Sequence, residues 1–186
     1  MTTTLVLGAG RSGKSAYAES LLSDHAKVTF VATGQQPWAD KDPERARRVL
    51  QHRARRPQGW QTVESRDLTR ALLSSRNPVL VDGIAEWVGG IIDSHDIKDP
   101  EKLQQDLIAQ MDELVVAWRH VPFDVVAVTE EVGWGQSGTT EADRIFRETL
   151  GYVNARLSRA SHRVHLVVAG RVLDLSKAPL VPSGSL

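Results

Sequence analysis

Cysteine is absent from all 186 residues, which excludes disulfide staples, thiolate metal sites and thiol nucleophiles. Any covalent step has to use another side chain. Net charge is absent too: 23 Lys and Arg are matched by 23 Asp and Glu, leaving no basic field to hold nucleic acid by counterion release or to dock on an anionic membrane. A small-molecule partner is therefore expected, with no nucleic acid and no membrane insertion. No apolar run approaches the roughly 20 residues that a membrane helix needs. Met1-Thr2-Thr3-Thr4 passes straight into an apolar stretch, without the basic-then-apolar pattern of a secretion leader. A soluble, cytoplasmic protein is expected. What the chain does have is a 41% hydrophobic fraction, enough for a substantial core, so residues 1–186 are read as a single domain.

Five short apolar runs rich in β-branched residues, Leu5 to Leu7, Val28 to Ala32, Val79 to Val81, Val125 to Val128 and Val164 to Val168, read as buried parallel strands. Longer segments of helical spacing lie between them: Lys14 to Leu22, Pro43 to Arg53, Asp67 to Leu73, Pro100 to Trp118 and Glu141 to Ser161. Such alternation predicts an α/β fold with a mostly parallel sheet flanked by helices. After Arg163 to Ala169, Gly170 is followed by Val172, Leu173 and Leu175, which suggests a closing hairpin and one antiparallel edge strand near the C-terminus. The tail, Lys177 to Leu186, carries no periodicity and is expected to be loose.

Gly8-Ala9-Gly10-Arg11-Ser12-Gly13-Lys14-Ser15 fits G-x-x-x-x-G-K-[ST]. The pattern needs a strand before it and a helix after it, because backbone amides at a helix N-terminus must converge on phosphate oxygens. Thr4 to Leu7 and Ser15 to Leu22 supply both, so a P-loop NTPase-like (RecA-like) nucleotide domain is expected. Lys14 then brings a cation to the terminal phosphates, and Ser15 a hydroxyl ligand for Mg2+. Asp82, at the end of Val79 to Val81, stands where open parallel sheets place their ligand crevice. It is read as a second metal ligand, with a helix cap before Ile84 as the alternative. Glu130 and Glu131 end the next strand and are rivals for that role, although neighbours on a strand point opposite ways. His52 is flanked by Arg45, Arg47, Arg48, Arg53, Arg55 and Arg56. Spacing alone favours a solvated helix face; the alternative is an imidazole nucleophile beside gathered phosphates.

Taken in order, the loop Gly8 to Ser15, Phe30-Val31-Ala32-Thr33, Arg48-Val49-Leu50-Gln51-His52, Arg56-Pro57, Trp60 to Glu64, Val79 to Asp82, Glu131-Val132-Gly133-Trp134-Gly135, Phe146-Arg147-Glu148, Gly151, Val153-Asn154 and Val167 to Gly170 resemble one family. It is the bifunctional adenosylcobinamide kinase/adenosylcobinamide-phosphate guanylyltransferase family of cobalamin biosynthesis. The similarity runs from Leu5 to about Leu175. It implies a magnesium-dependent kinase that phosphorylates the aminopropanol hydroxyl of adenosylcobinamide with ATP or GTP. The enzyme then transfers GMP from GTP to adenosylcobinamide phosphate through a GMP-histidine, giving adenosylcobinamide-GDP and pyrophosphate. The histidine matches His52, eight residues before Trp60. By the same resemblance Glu64 and Asp82 are acidic nucleotide contacts, and Ala32, Thr33, Gly34, Arg53, Ala54, Arg55 and Arg56 belong to the nucleotide site. Thr33, Gly34 and Glu64 lie around guanine or ribose. A homo-oligomer is favoured, and Trp87 and Trp134 are weighed as corrin or subunit contacts against ordinary packing.

The sequence departs from the family at a few places. Ala9 replaces a glycine common in the loop, which requires that its φ not be positive. Glu130 stands where Asn is usual, Gln136 to Thr140 replaces a stretch usually carrying Pro and Asn, and Gly83 and Glu86 also differ. Two other readings are kept open: a P-loop small-molecule kinase with no covalent intermediate, and a nucleotide-switched regulatory module.

Overall fold

The computed structural model describes residues 1–34, 43, 46–47, 50, 53–54, 56–96, 99–135 and 140–182. His52, Arg45, Arg48, Arg55, residues 136–139 and the tail beyond 182 lie outside the described residues, as does most of the helix expected from 43 to 53. Seven strands, β1 (Thr3–Gly8), β2 (Val28–Ala32), β3 (Trp60–Glu64), β4 (Val79–Asp82), β5 (Val125–Glu130), β6 (Arg163–Val168) and β7 (Arg171–Asp174), form one sheet. Its order is β3-β2-β4-β5-β1-β6-β7, parallel throughout except for the β6–β7 hairpin. The described helices are α1 (Lys14–Ser20), α2 (Leu68–Ser74), α3 (Ile84–Asp93), α4 (Pro100–His120) and α5 (Glu141–Ala160).

Alternate residues of each central strand serve opposite cores, as the two-residue period requires. Leu5, Leu7, Val79, Val81, Val125 and Ala127 face one cluster with Trp87, Met111, Leu114, Trp118, Val153 and Leu157 from α3, α4 and α5. Val6, Phe30, Leu80, Val126 and Val128 face the other, with Ala18 and Leu22 from the α1 side. Burial on both faces explains why these strands are continuous apolar runs rather than alternating ones. Helix starts follow local chemistry: Asp67 and Asp99 accept from the amides of Arg70 and Lys102, and Thr140 and Asp143 form a capping box.

β3 was not anticipated from sequence, and α3 entered only through the alternative reading of Asp82 as a helix cap before Ile84. β3 is a sheet edge with only Trp60 buried, so pairing with β2 creates it and no apolar run announces it. α3 contains Gly89 and Gly90, which weaken helix propensity, yet its six buried apolar residues pack under the sheet. The expected closing hairpin is present, with β7 exposed along its length.

Candidate active site

The loop after β1 lies at the C-terminal edge of the sheet, with β5 on one side of β1 and β6 on the other. Gly13 holds φ 96 at the N-cap of α1, where a side chain would be strained. Ser12 closes the loop by donating its amide to the Ala9 carbonyl at 3.2 Å. The other left-handed loop residue is Arg11, at φ 60, whereas Ala9 is not left-handed, so the methyl at position 9 is accommodated without backbone strain. The N-cap Gly13 has no side chain to cap α1, and the Lys14 amide donates to Ser12 Oγ at 3.4 Å, a contact that phosphate oxygens would replace at a helix start.

Lys14 is largely buried, with 11% of its side chain exposed, and its Nζ lies 3.4 Å from Glu130 Oε1. It also donates to the Ala9 carbonyl at 3.3 Å. Of the two acidic residues ending β5, Glu130 therefore faces the loop, while Glu131 Oε1 accepts from the Gly133 amide at 2.7 Å. Buried Asn154 of α5 fixes this strand end: it accepts from Thr129 Oγ1 at 2.7 Å and donates to the Glu130 carbonyl at 3.0 Å.

Asp82 ends β4 half-buried. Desolvation, with repulsion from Glu86 and a smaller one from Glu130, pushes its carboxyl up to about 6 despite the opposing pull of Arg56 and Lys14. It does not cap α3, whose N-cap is Gly83 at φ 111 with no side-chain cap, so the helix-cap alternative is set aside. A Cβ at Gly83 would meet Thr33 Oγ1 at 2.7 Å and Glu86 Oε2 at 2.6 Å. Thr33 is buried and donates its hydroxyl to the Gly83 carbonyl. That contact ties the ends of β2 and β4 together and turns the Thr33 side chain inward.

Beside β3 a cavity of about 620 Å3 is lined by Arg53, Arg56, Pro57, Gln58, Trp60, Thr62 and Glu64. Arg53 pairs with Glu64 at 2.6 Å. Arg56 donates to Thr62 Oγ1 at 2.8 Å and lies 3.3 Å over the Phe30 ring. Burial lowers its pKa, and its Nε has no hydrogen-bond partner among the described residues. Because Asp82 also acts on the Arg56 charge, the cavity and the loop share one electrostatic site.

The profile described as cobinamide kinase / cobinamide phosphate guanyltransferase matches residues 4–175. The chain belongs to this family. The bifunctional adenosylcobalamin biosynthesis protein CobU of Escherichia coli (strain K12) is 36% identical over 176 residues, covering 89% of this chain and 95% of that protein. CobP of Pseudomonas aeruginosa, also named a bifunctional adenosylcobalamin biosynthesis protein, is 30% identical over 181 residues, covering 95% and 98%. CobU of Salmonella typhimurium is 34% identical over 176 residues.

As a member of the cobinamide kinase / cobinamide phosphate guanyltransferase family, the chain brings Lys14, Glu130 and Asp82 to one end of the sheet, with Arg53, Arg56 and Glu64 around the adjoining cavity. Gly8, Gly10, Arg11 and Ser12 lie in the same loop, Ser15 follows Lys14 at the start of α1, Ala32 and Gly34 flank Thr33, and Ala54 follows Arg53. Sequence reasoning missed two parts. The Lys14–Glu130 pair depends on β1 and β5 being neighbours, which no local pattern encodes. The bracing role of Asn154 had one signal, a polar residue among the buried positions Leu150, Val153 and Leu157 of α5.

Proposed function

We propose that this protein phosphorylates adenosylcobinamide with ATP or GTP, then converts the phosphate to adenosylcobinamide-GDP by transferring GMP from GTP. The observation that carries the reading is the convergence of Lys14, Asp82 and Arg56 at the sheet edge next to the cavity of Arg53 and Glu64. It supplies cations for a triphosphate and polar groups for a nucleoside in one place. For phosphoryl transfer, incoming phosphate oxygens displace Glu130 from Lys14, and the loop amides and Lys14 hold the γ-phosphate while the aminopropanol oxygen attacks in line. The bond from the γ-phosphorus to its bridging oxygen breaks as the new one forms, the nucleoside diphosphate leaves, and the hydroxyl proton passes to solvent.

Ser15 and Asp82 fit Mg2+, which keeps most of its waters and takes one or two protein oxygens alongside phosphates. Asp82 is a carboxylate whose anion is costly where it stands, so an adjacent cation stabilises it. Bound there, Mg2+ supplies neutralisation of charge on the phosphates. In the second reaction an imidazole nitrogen of His52 attacks the α-phosphorus of GTP and pyrophosphate leaves. An oxygen of adenosylcobinamide phosphate then attacks the same phosphorus and the phosphorus–nitrogen bond breaks. Arg53, Arg55 and Arg56 offset the repulsion between these anions, while Glu64, Ala32, Gly34 and the Thr33 backbone adjoin the nucleoside.

The same reading takes residues 1–186 as one nucleotide-binding domain acting in the cytoplasm, where its nucleotides are. It takes the protein as a homo-oligomer, supported by the open β7 edge with Val172 and Leu173 exposed. Incubation with adenosylcobinamide, ATP, GTP and magnesium tests the function: chromatography should show adenosylcobinamide phosphate and then adenosylcobinamide-GDP. Nucleotide hydrolysis with neither product would overturn it.

A further inference from the structure

Among the described residues Trp134 differs from the other tryptophans. Trp60, Trp87 and Trp118 are exposed by only 8%, 3% and 1%, whereas Trp134 is 70% exposed. Ordinary packing therefore accounts for Trp87 and not for Trp134.

The backbone that presents Trp134 is held at three points. Before it, the Glu131 amide donates to the carbonyl of Gly8, the first residue of the phosphate loop, at 3.4 Å. The Glu131 carboxylate accepts from the Gly133 amide at 2.7 Å. After it, Arg147 of α5 donates from Nη1 to the Gly135 carbonyl at 3.3 Å. A charged side chain braces the turn on each side, and the residue between them extends an indole into solvent. Exposing that much aromatic surface forfeits the burial that stabilises the other three.

Its position suggests what the indole meets. The turn follows β5, the strand beside β1, and its Glu131 is bonded to Gly8 of the phosphate loop, so Trp134 lies three residues from the loop that carries Lys14. The acceptor must bring a hydroxyl to the γ-phosphate, yet a corrin macrocycle is far too broad to enter beside a nucleotide. Most of it has to rest on the surface next to the loop, where the Trp134 turn lies. The methyl-bearing edge of the macrocycle suits an indole platform, which offers a wide contact at small entropic cost.

We propose that Trp134 is a contact for the corrin ring of the acceptor, setting affinity for the corrinoid without taking part in nucleotide chemistry. This rests on the acceptor assigned above. The test titrates adenosylcobinamide calorimetrically into the wild-type protein, Trp134→Ala and Trp134→Phe, each also titrated with GTP. Trp134→Ala should bind adenosylcobinamide roughly tenfold more weakly and raise its KM by a similar factor at nearly constant kcat, with Trp134→Phe recovering most of the loss. Affinity for GTP should not change. Corrinoid affinity in Trp134→Ala within about twofold of wild type would overturn the inference. So would a change of assembly state on sedimentation, which would make Trp134 a subunit contact. A wild-type protein that binds GTP but no adenosylcobinamide would instead overturn the acceptor assignment, and this inference with it.

Discussion

Among the described residues Lys14 has two partners, the Ala9 carbonyl and Glu130, and binding phosphate requires it to exchange the second. At 3.4 Å, with 42% of the Glu130 side chain exposed, the pair is screened and weak, so it acts as a restraint more than as a source of stability. Glu130→Gln removes the competing charge at nearly constant size. It should tighten ATP binding about three- to tenfold by calorimetry, and unchanged or weaker binding would show that the pair does not compete with nucleotide. Asp82 carries the second residue-scale consequence. Its folded pKa is raised to about 6 from 3.8, so ionising it opposes folding: the penalty is absent below about pH 4, grows through the window to pH 6, and is full above it. Partial exposure holds the cost to about 1–3 kcal/mol. Asp82→Asn should therefore raise the Tm of the nucleotide-free protein at pH 8 but not at pH 4, and should raise the magnesium requirement of the kinase. A variant less stable than wild type at pH 8 would contradict this account of the carboxylate.

Helices α3 and α4 are joined at their ends by His95, whose Nε2 lies 2.8 Å from Asp106 Oδ2 and whose Nδ1 lies 2.8 Å from the Ile91 carbonyl. The hydrogen bond to Asp106, then that to Ile91, raises the His95 pKa above its usual 6.5. The contribution to stability is thus complete below about pH 6.5 and is lost as pH rises through the folded value. The Tm difference between wild type and His95→Asn should be larger at pH 6 than at pH 9, and a difference independent of pH would remove the charged imidazole from the explanation. Legibility in the sequence also divides at the scale of elements. The phosphate loop could be read because strand, glycines, Lys14 and Ser15 are contiguous, and Asp82 because it ends an apolar run. β3 could not, since four of its five residues are not buried and only the ladder to β2 makes it a strand. α3 was obscured by Gly89 and Gly90, and only its packing under the sheet offsets their cost. The pairing of Lys14 with Glu130, and the bracing of Glu130 by Asn154, need the strand order and the docking of α5, which are properties of the tertiary structure.

Across the whole molecule the sheet edge is divided between two chemistries. In the proposed reactions the loop, Lys14 and Asp82 serve transfer of a terminal phosphoryl group, while Arg53, Arg56 and Glu64 line the cavity beside β3, whose Arg53 follows His52 in sequence. The Lys14 step needs no covalent intermediate, whereas a His52 step cannot proceed without one, so the two activities should be separable in one protein. No helix among the described residues is long and apolar enough to cross a membrane, and both proposed reactions draw on a nucleoside triphosphate. The direct test of the two-reaction account is intact-mass measurement after incubation with GTP and magnesium, on wild type and His52→Ala. Wild type should gain the mass of one GMP, stable in mild alkali and lost in acid as a phosphorus–nitrogen bond requires. His52→Ala should gain none while still phosphorylating adenosylcobinamide. An adduct that persists in His52→Ala, or GMP transfer by wild type with no trappable adduct, would contradict the account.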